Sequence, residues 1–199
     1  MAKYESLRLI LFTALLRGWL IRQINFDSAY LNRLLDIVIY ARCPPGVAVG
    51  RHDLVLRLLK TLYSLKQSGR EWYEVLRNFL IAKLHFRQAD FDPCVFLTEE
   101  LILGIYIDNV LITGTKKSIN SFLRNIKARF TFKDLRRPKL LLSLKIKYVE
   151  NSLRLHQRTY YNAVLKRYSM DRLNCQKTPL NPNSFPARTT PNTPVNAKR

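Results

Sequence analysis

The chain has 199 residues, of which 47% are apolar, and its formal net charge is +20. A chain of this length and composition can bury one substantial hydrophobic core, so we expect one domain with at most a small appendage. The excess of Lys and Arg predicts a polyanionic partner such as nucleic acid, because the release of condensed counterions drives such binding.

Several classes of protein are excluded. The longest apolar run, Leu9–Leu16, is too short to span a bilayer and lies between two arginines, so no membrane segment is predicted. The N-terminus lacks the cleavage site of a signal peptide. The cysteines show neither metal-ligand spacing nor an even disulfide set (Cys43, Cys94 and Cys175). We therefore expect an intracellular protein, either cytoplasmic or nuclear.

The first half of the chain predicts a mixture of helices and strands. Apolar residues at helical spacing predict two core-facing helices, over Ala2–Trp19, which Gly18 can end, and over Gly69–Leu84. Alternation predicts a strand over Ile21–Phe26. Three segments lie between this strand and the second helix. Residues 27–35 predict a turn with a short helix, residues 44–46 predict a proline-rich loop, and the type of residues 53–63 is uncertain.

In the segment Leu101–Gly114, two apolar runs flank one polar pair, Asp108 and Asn109. This pattern predicts a buried β-hairpin, paired with an upstream strand over Cys94–Thr98, whose turn carries the only charge in the segment. A carboxylate at the tip of a rigid hairpin is a suitable ligand for a hard cation such as Mg²⁺. A plain hairpin with an Asx turn also explains these residues, and this stretch alone favours that interpretation.

The second half predicts a helix that Ser118 caps and that runs to Phe130, a hairpin over residues 140–156, and a short helix over Thr159–Tyr168. Residues 174–199 hold five of the nine prolines and no acidic residue. We therefore expect a folded domain over residues 1–172 and a disordered basic tail over residues 173–199.

Seven blocks of the chain, taken in order and with their spacing, resemble the polymerase of copia-type LTR retrotransposons. Tyr106-Ile107-Asp108-Asn109 resembles the tyrosine-x-Asp-Asp motif of reverse transcriptases. The other six blocks are QINFDSAYLN at 23–32, CPPG at 43–46, LYSLKQ at 62–67, WY at 72–73, DPCVF at 92–96 and KDL at 133–135. The resemblance extends over about residues 3–182.

The resemblance implies an α+β fold, in which a palm-type antiparallel sheet has helices packed on one face. It also implies incomplete fingers, since the family's fingers segment would precede Met1. The implied activity is RNA-directed DNA polymerisation by nucleotidyl transfer, with an RNA or DNA template-primer and deoxynucleoside triphosphates as partners and two Mg²⁺ ions as cofactors.

By position, the three metal-binding aspartates of the family correspond to Asn25, Asp108 and Asn109, so Asp108 is the one remaining acidic ligand. Because catalysis of this type depends on electrostatic stabilisation, the chain is predicted to be inactive. Asp27 shares a strand face with Asn25 but lies about 6.5–7 Å further along, too far to replace it.

Three further residues correspond to nucleotide-binding positions of the family. Tyr30 resembles the aromatic gate that packs under the sugar, Gln67 resembles a contact to the incoming nucleotide and template, and Tyr106 is the tyrosine of the hairpin motif. From the residues alone, Tyr30 could equally be a core aromatic residue and Gln67 a polar group at a helix entry. Residues 141–146 resemble the strands that grip the primer end.

Seven departures from the family pattern can each arise from a single G-to-A transition: Asn25, Asn109, Arg33, Arg136, Ser64, Ser143 and Lys145. They suggest a decayed copy of an element. Where glycine is lost from a turn with positive φ, we expect a cost of roughly 1 kcal/mol. Two alternatives to a polymerase fragment stay open: a non-catalytic nucleic-acid-binding remnant that uses the basic surface alone, and a translated pseudogene without function.

Overall fold

The computed structural model describes residues 1–32, 34–44, 55–62, 65, 67–150 and 152–173, with the backbone alone at residue 36. The predicted loop residues Pro45 and Gly46, and the tail beyond Leu173, lie outside this set. The chain divides into two compact units, Met1–His156 and Gln157–Arg199.

The first unit is built around a six-stranded antiparallel sheet with strand order β4-β5-β6-β7-β1-β8. Its strands are β1 (Leu20–Phe26), β4 (Arg87–Gln88), β5 (Val95–Leu97), β6 (Leu101–Tyr106), β7 (Asn109–Gly114) and β8 (Phe132–Arg136). The helices of this unit are α1 (Tyr4–Leu16), α2 (Ser68–Leu84) and α3 (Lys116–Lys127), and a 3₁₀ helix (Ala29–Asn32) follows β1.

Two smaller sheets complete the unit. One pairs β2 (Leu34–Arg42) with β3 (Val55–Lys60), and the other has the order β11-β10-β9, with β9 (Leu140–Leu141), β10 (Leu144–Val149) and β11 (Ser152–His156). The described part of the second unit contains α4 (Arg158–Arg167). Mixed helices and antiparallel strands confirm the predicted α+β class.

The helices α2 and α3 cover one face of the central sheet. Alternation along β1 places Arg22, Ile24 and Phe26 on the same face. The Phe26 ring lies edge-on to Trp72 of α2, with the two centroids 5.0 Å apart. On the same face, Arg22 donates a hydrogen bond of 3.4 Å to Asn120 of α3.

The helix α1 covers the opposite face. Gly104 of β6 lies in register with Leu111 and Gln23, whose side chains belong to that face. A Cβ atom at Gly104 would lie 2.8 Å from Ile10 Cδ1, so glycine allows α1 to approach the sheet closely. The prediction that helices pack on one face only is therefore wrong, because the apolar stripe of α1 also needs a surface to cover it.

Most predicted elements are confirmed, with corrections at their ends. Gly18 has φ +60 just beyond α1, as a helix-ending glycine should. The N-cap of α3 is Thr115, whose side chain accepts a 3.2 Å hydrogen bond from the Ser118 N–H, so the prediction of Ser118 as the cap is wrong. Leu142, with φ 51, separates β9 from β10 where one strand was predicted. Within the described residues, no helix is long and apolar enough to cross a membrane.

Candidate active site

The hairpin of β6 and β7 closes through a two-residue turn, Ile107 and Asp108. Ile107 has φ 58, a left-handed conformation that β-branched residues rarely adopt. The indole N–H of Trp72 donates a hydrogen bond of 2.9 Å to the Ile107 carbonyl oxygen. Since Trp72 is 1% exposed within the core, α2 fixes the conformation of this turn.

The structure brings the three predicted metal positions together. Asn25 lies directly opposite Asn109 in the antiparallel pairing of β1 with β7. The N–H of Phe26 donates a hydrogen bond of 2.8 Å to the carbonyl oxygen of Asp108. Directly opposite residues in such a pair have Cβ atoms roughly 4.5–5.5 Å apart. Residues 25, 108 and 109 therefore form one cluster at the end of the sheet.

A chain of side-chain hydrogen bonds connects this cluster to the buried residue Gln23. The Gln23 side-chain amide donates to Asn109 Oδ1 at 2.9 Å, and Asn109 Nδ2 donates to Asp108 Oδ1 at 3.1 Å. Gln23 lies on the same strand face as Asn25 and is 6% exposed. The amide of Asn109 is thus engaged at both ends.

The chemistry of the three side chains fixes the direction of these bonds. An ionised Asp108 only accepts, so Asn109 must turn its NH₂ group toward Asp108 and its oxygen toward Gln23. An aspartate at position 109 would still accept from Gln23, but it would place a second carboxylate beside Asp108 with no donor between them. The Asp108 carboxylate therefore accepts a hydrogen bond from a neutral amide, which leaves the negative charge of the turn in place.

Asp27 belongs to a different part of the sheet. Its N–H donates a hydrogen bond of 3.0 Å to the carbonyl oxygen of Thr131, which precedes β8. Its carboxylate lies 4.0 Å from Lys133 Nζ on β8. Because β8 and β7 flank β1 on opposite sides, Asp27 is directed away from the strand that carries Asn109.

The donor set at the cluster does not fit two Mg²⁺ ions. Asp108 supplies one negative charge, and the side chains of Asn25 and Asn109 are neutral amides. Among the residues that the structure describes, no group of three or more His, Cys, Asp or Glu side chains could hold a metal ion. One carboxylate against two dications leaves most of the charge unbalanced.

Two of the three predicted nucleotide-binding residues, Tyr30 and Tyr106, lie beside the same turn. Tyr106 is paired with Asn109 at the end of the hairpin. Tyr30, in the 3₁₀ helix, lines a cavity of about 450 Å³ together with Trp72 and Ile107. Gln67 stands at the N-cap of α2, where its backbone carbonyl accepts a 2.9 Å hydrogen bond from the Glu71 N–H. Their role in binding a nucleotide stays a prediction.

Two residues that organise the turn were not predicted, namely Gln23 and Trp72. Both lie in sequence blocks that carry the family resemblance, and Gln23 shares the strand face of Asn25. The period-two spacing could have indicated Gln23. No local signal indicates Trp72, because its contact with Ile107 spans 35 residues.

A buried carboxylate supports the sheet next to this site. Asp92, 1% exposed, accepts hydrogen bonds from the Lys3 N–H at 2.9 Å, the Ser6 hydroxyl at 2.5 Å and the Cys94 N–H at 2.9 Å. Burial alone would raise the pKa of Asp92, but these hydrogen bonds outweigh it and lower the pKa. Asp92 therefore joins the start of α1 to β5 as an ionised group.

Comparison with known proteins defines the class. Residues 1–182 match the reverse transcriptase (RNA-dependent DNA polymerase) family, so the chain belongs to that family. It is 33% identical over 186 residues to the retrovirus-related Pol polyprotein of transposon RE1 from Arabidopsis thaliana, covering 90% of this chain and 13% of that protein. It is 32% identical over 187 residues to the retrovirus-related Pol polyprotein of transposon TNT 1-94 from Nicotiana tabacum. That match covers 89% of this chain and 14% of that protein.

These relatives make the chain a copia-type reverse transcriptase domain. A Gag-Pol polyprotein of transposon Ty1-DR4 from Saccharomyces cerevisiae is also similar, at 32% identity over 123 residues, or 62% of this chain and 7% of that protein. The chain spans about an eighth of the length of the two plant polyproteins, which it covers to 13% and 14%. No solved structure matches the chain.

Proposed function

We propose that the chain is a reverse transcriptase domain in which the metal site for nucleotidyl transfer has been lost. One observation carries the proposal: positions 25, 108 and 109 meet at the end of the hairpin, yet they hold a single carboxylate. The arrangement of the polymerase site is retained, while its charge is not.

The loss of charge explains the loss of activity. Reverse transcriptases generally use divalent metal ions, and two-metal sites stabilise both the attacking and the leaving oxygen. Two Asp-to-Asn replacements remove two units of negative charge from the place that would bind the cations. Removing even one electrostatic contact from an active site commonly costs 10²–10³ in rate. We therefore expect no detectable polymerisation.

The ancestral partners follow from the same site. We propose that the domain once acted on an RNA or DNA template-primer with deoxynucleoside triphosphates, and used Mg²⁺. Tyr30 would have packed under the sugar, while Gln67 and Tyr106 would have contacted the nucleotide. The cavity that Tyr30 shares with Trp72 and Ile107, beside the turn, supports this assignment.

Primer extension tests the proposal. The full chain would be incubated with primer-template, Mg²⁺ and nucleotides, alongside Asp108→Asn and the double variant Asn25→Asp/Asn109→Asp. The wild-type chain should extend no more primer than Asp108→Asn. The double variant should bind Mg²⁺ measurably, whereas Asn78→Asp/Asn125→Asp, which adds the same charge on helices α2 and α3, should not. Extension by the wild-type chain that Asp108→Asn abolishes would refute the loss of activity.

A second candidate is a non-catalytic nucleic-acid-binding protein, which the net charge of +20 favours. Binding to a labelled duplex or single strand should then weaken steeply with salt, in proportion to the phosphates contacted. The absence of both binding and extension would leave a translated pseudogene as the remaining interpretation.

A further inference from the structure

A second cavity lies at the far end of β1 from the candidate active site. It has a volume of about 430 Å³ and is lined in part by Trp19, Arg22, Lys116, Arg136 and Arg137. Leu20, at its edge, is five residues from Asn25, so the cavity lies roughly 16 Å from the metal positions at the usual rise of a strand. We call it the basic pocket.

Of the four cations that line the basic pocket, one forms an ion pair within the part of the chain that the structure describes. Arg22 forms a bidentate ion pair with Asp134, with one hydrogen bond of 3.0 Å from Nε and a shorter one from Nη2. The side chains of Lys116, Arg136 and Arg137 form no ion pair with any residue that the structure describes. The hydrogen bond from Arg22 lowers the pKa of Asp134, and the charge of Arg136 lowers it further, so one carboxylate faces four cations. Like charges repel one another, so an anion bound among these side chains would lower the electrostatic energy.

The start of α3 adds to the positive potential. Its first turn contains Lys116 and Lys117 and no acidic residue, although the partial positive charge of a helix N-terminus favours acidic side chains there. Glu100 lies at the same end of α3, where its carboxylate accepts a 3.4 Å hydrogen bond from the hydroxyl of the N-cap residue Thr115, but it lines a different cavity together with Lys117. An anion beside Lys116 would also interact favourably with the helix dipole.

The guanidinium of Arg137 and the backbone of Arg136 are held in place by contacts within the protein. The Arg137 guanidinium stacks over the Tyr148 ring, 3.6 Å from its centroid, and the Tyr148 hydroxyl is fixed by a 2.8 Å hydrogen bond to the Pro138 carbonyl. The Arg136 backbone N–H donates to Asp134 Oδ1 at 2.9 Å. Groups that are ordered in advance lose less entropy on binding.

We propose that the basic pocket binds successive phosphate groups of a nucleic-acid strand, at a site separate from the hairpin turn. Four cations beside the single carboxylate of Asp134 leave a surplus of three positive charges, which exceeds the charge of one phosphodiester, so a strand with several phosphates balances them better than a single phosphate group. Arginine and lysine are also the side chains that contact nucleic-acid phosphates most often. This site needs no metal ion, so it does not depend on the fate of the polymerase chemistry.

Binding of a fluorescein-labelled 20-nucleotide DNA strand to the full chain, measured by anisotropy over a salt series, tests the proposal. The test variant is Lys116→Gln/Arg136→Gln, which leaves the Arg137–Tyr148 stack and the Arg22–Asp134 pair intact. The matched control is Arg124→Gln/Lys127→Gln, which removes one Arg and one Lys from exposed positions nearer the C-terminal end of the same helix. Chemical shifts of the Trp19 indole and the Arg136 amide report directly on the pocket, with inorganic phosphate as a second probe.

The test variant should bind the strand about tenfold more weakly than wild type, and its slope of log affinity against log salt should fall by about 1.4, or about 0.7 for each lost phosphate contact. The control should change affinity by less than about threefold. An equal loss of affinity in both double variants would refute the proposal, because it would mean that the strand is attracted by the net charge of the protein and not by this pocket. Saturation of the pocket resonances by inorganic phosphate, without any effect of Lys116→Gln/Arg136→Gln on strand binding, would also refute it.

Discussion

Trp72 donates its indole N–H to the carbonyl oxygen of Ile107, 35 residues away along the chain. Ile107 has φ 58, and a residue in a sparsely populated backbone region persists only where its surroundings hold it there. The Trp72 ring is itself fixed by edge-on contacts with Phe26 and Phe130, at centroid distances of 5.0 and 5.5 Å. The hydrophobic core therefore sets the shape of the polar turn.

Replacing Trp72 with Phe should destabilise both the protein and the turn. Phenylalanine keeps an aromatic ring in the core, but it leaves the Ile107 carbonyl without its donor, at a cost of about 1–3 kcal/mol, with a further cost for the space left behind. Urea denaturation measures the total change in stability, and hydrogen exchange of the Phe26 amide, which donates to the Asp108 carbonyl oxygen, measures the turn. Trp19→Phe, at a half-exposed position, is the control. Faster exchange of the Phe26 amide in both variants would contradict the role of Trp72.

Asn109→Asp should make the stability of the protein depend on Mg²⁺. Without a cation, the new carboxylate meets that of Asp108, and the hydrogen bond of 3.1 Å between residues 109 and 108 is lost. We expect a loss of about 1–2 kcal/mol in EDTA. A bound cation should recover part of this loss, because a ligand that binds only the folded state raises its stability.

Thermal denaturation in EDTA and in Mg²⁺ measures the effect. Asn125→Asp, at an exposed position of α3, adds the same charge away from the turn. Its melting temperature should respond to Mg²⁺ no more than that of wild type does. If Asn109→Asp is as stable as wild type in EDTA, then the hydrogen bond from the Asn109 amide does not stabilise Asp108 as we infer.

The sequence was sufficient for features that depend on local pattern. Apolar periodicity predicts the hairpin of residues 101–114, the strand β1 that carries Asn25 and the long helix α2. The meeting of residues 25, 108 and 109 was expected from the family resemblance, and the pairing of β1 with β7 places them together.

Features that depend on long-range contacts were not predictable in this way. The position of α1 on the second sheet face requires the close approach of Ile10 to Gly104, and nothing near either residue in the sequence indicates it. The same applies to the hydrogen bond from Gln23 to Asn109, which spans 86 residues. Local pattern indicates which residues are buried, but it does not indicate which buried residues meet.

Asp92→Asn should destabilise the protein in a pH-dependent way. An asparagine cannot accept all three hydrogen bonds that Asp92 accepts, so at neutral pH we expect a loss of about 2 kcal/mol. The pKa of Asp92 is lowered in the folded protein, so its contribution is present above the unfolded pKa of about 3.9 and is lost as the pH falls through the folded value.

Denaturation curves from pH 7 down to pH 3 should therefore show the gap between wild type and Asp92→Asn narrowing with acid. Asp90→Asn is the control, because Asp90 is exposed and its 3.6 Å ion pair with Arg87 lies at the surface. A gap that stays constant across this range would show that the contribution of Asp92 does not come from its ionised form.

Arg136→Gly should stabilise the protein, because Arg136 has φ 57 at a bulge where Leu135 is the extra residue between β8 and β1. This positive φ supports the expected cost of a lost glycine at position 136, and the variant should raise the free energy of unfolding by up to about 1 kcal/mol.

Ser143 differs from Arg136, since its φ is not positive and the neighbouring residue Leu142 has φ 51. The expectation of the same strain at Ser143 is therefore wrong, while Arg33 and Ser64 lie outside the described residues.

Ser143→Gly is accordingly the matched comparison for Arg136→Gly. It removes the 3.2 Å contact between the Ser143 and Tyr4 hydroxyls and adds backbone freedom to the unfolded chain, so it should destabilise by about 0.5–1 kcal/mol. Urea midpoints at constant m-value give both numbers. The free energy of unfolding should rise in Arg136→Gly and fall in Ser143→Gly. We expect this difference because backbone conformation, rather than the identity of the ancestral residue, decides what each replacement costs. If both variants gained stability, the cost would instead follow the departure from the family pattern.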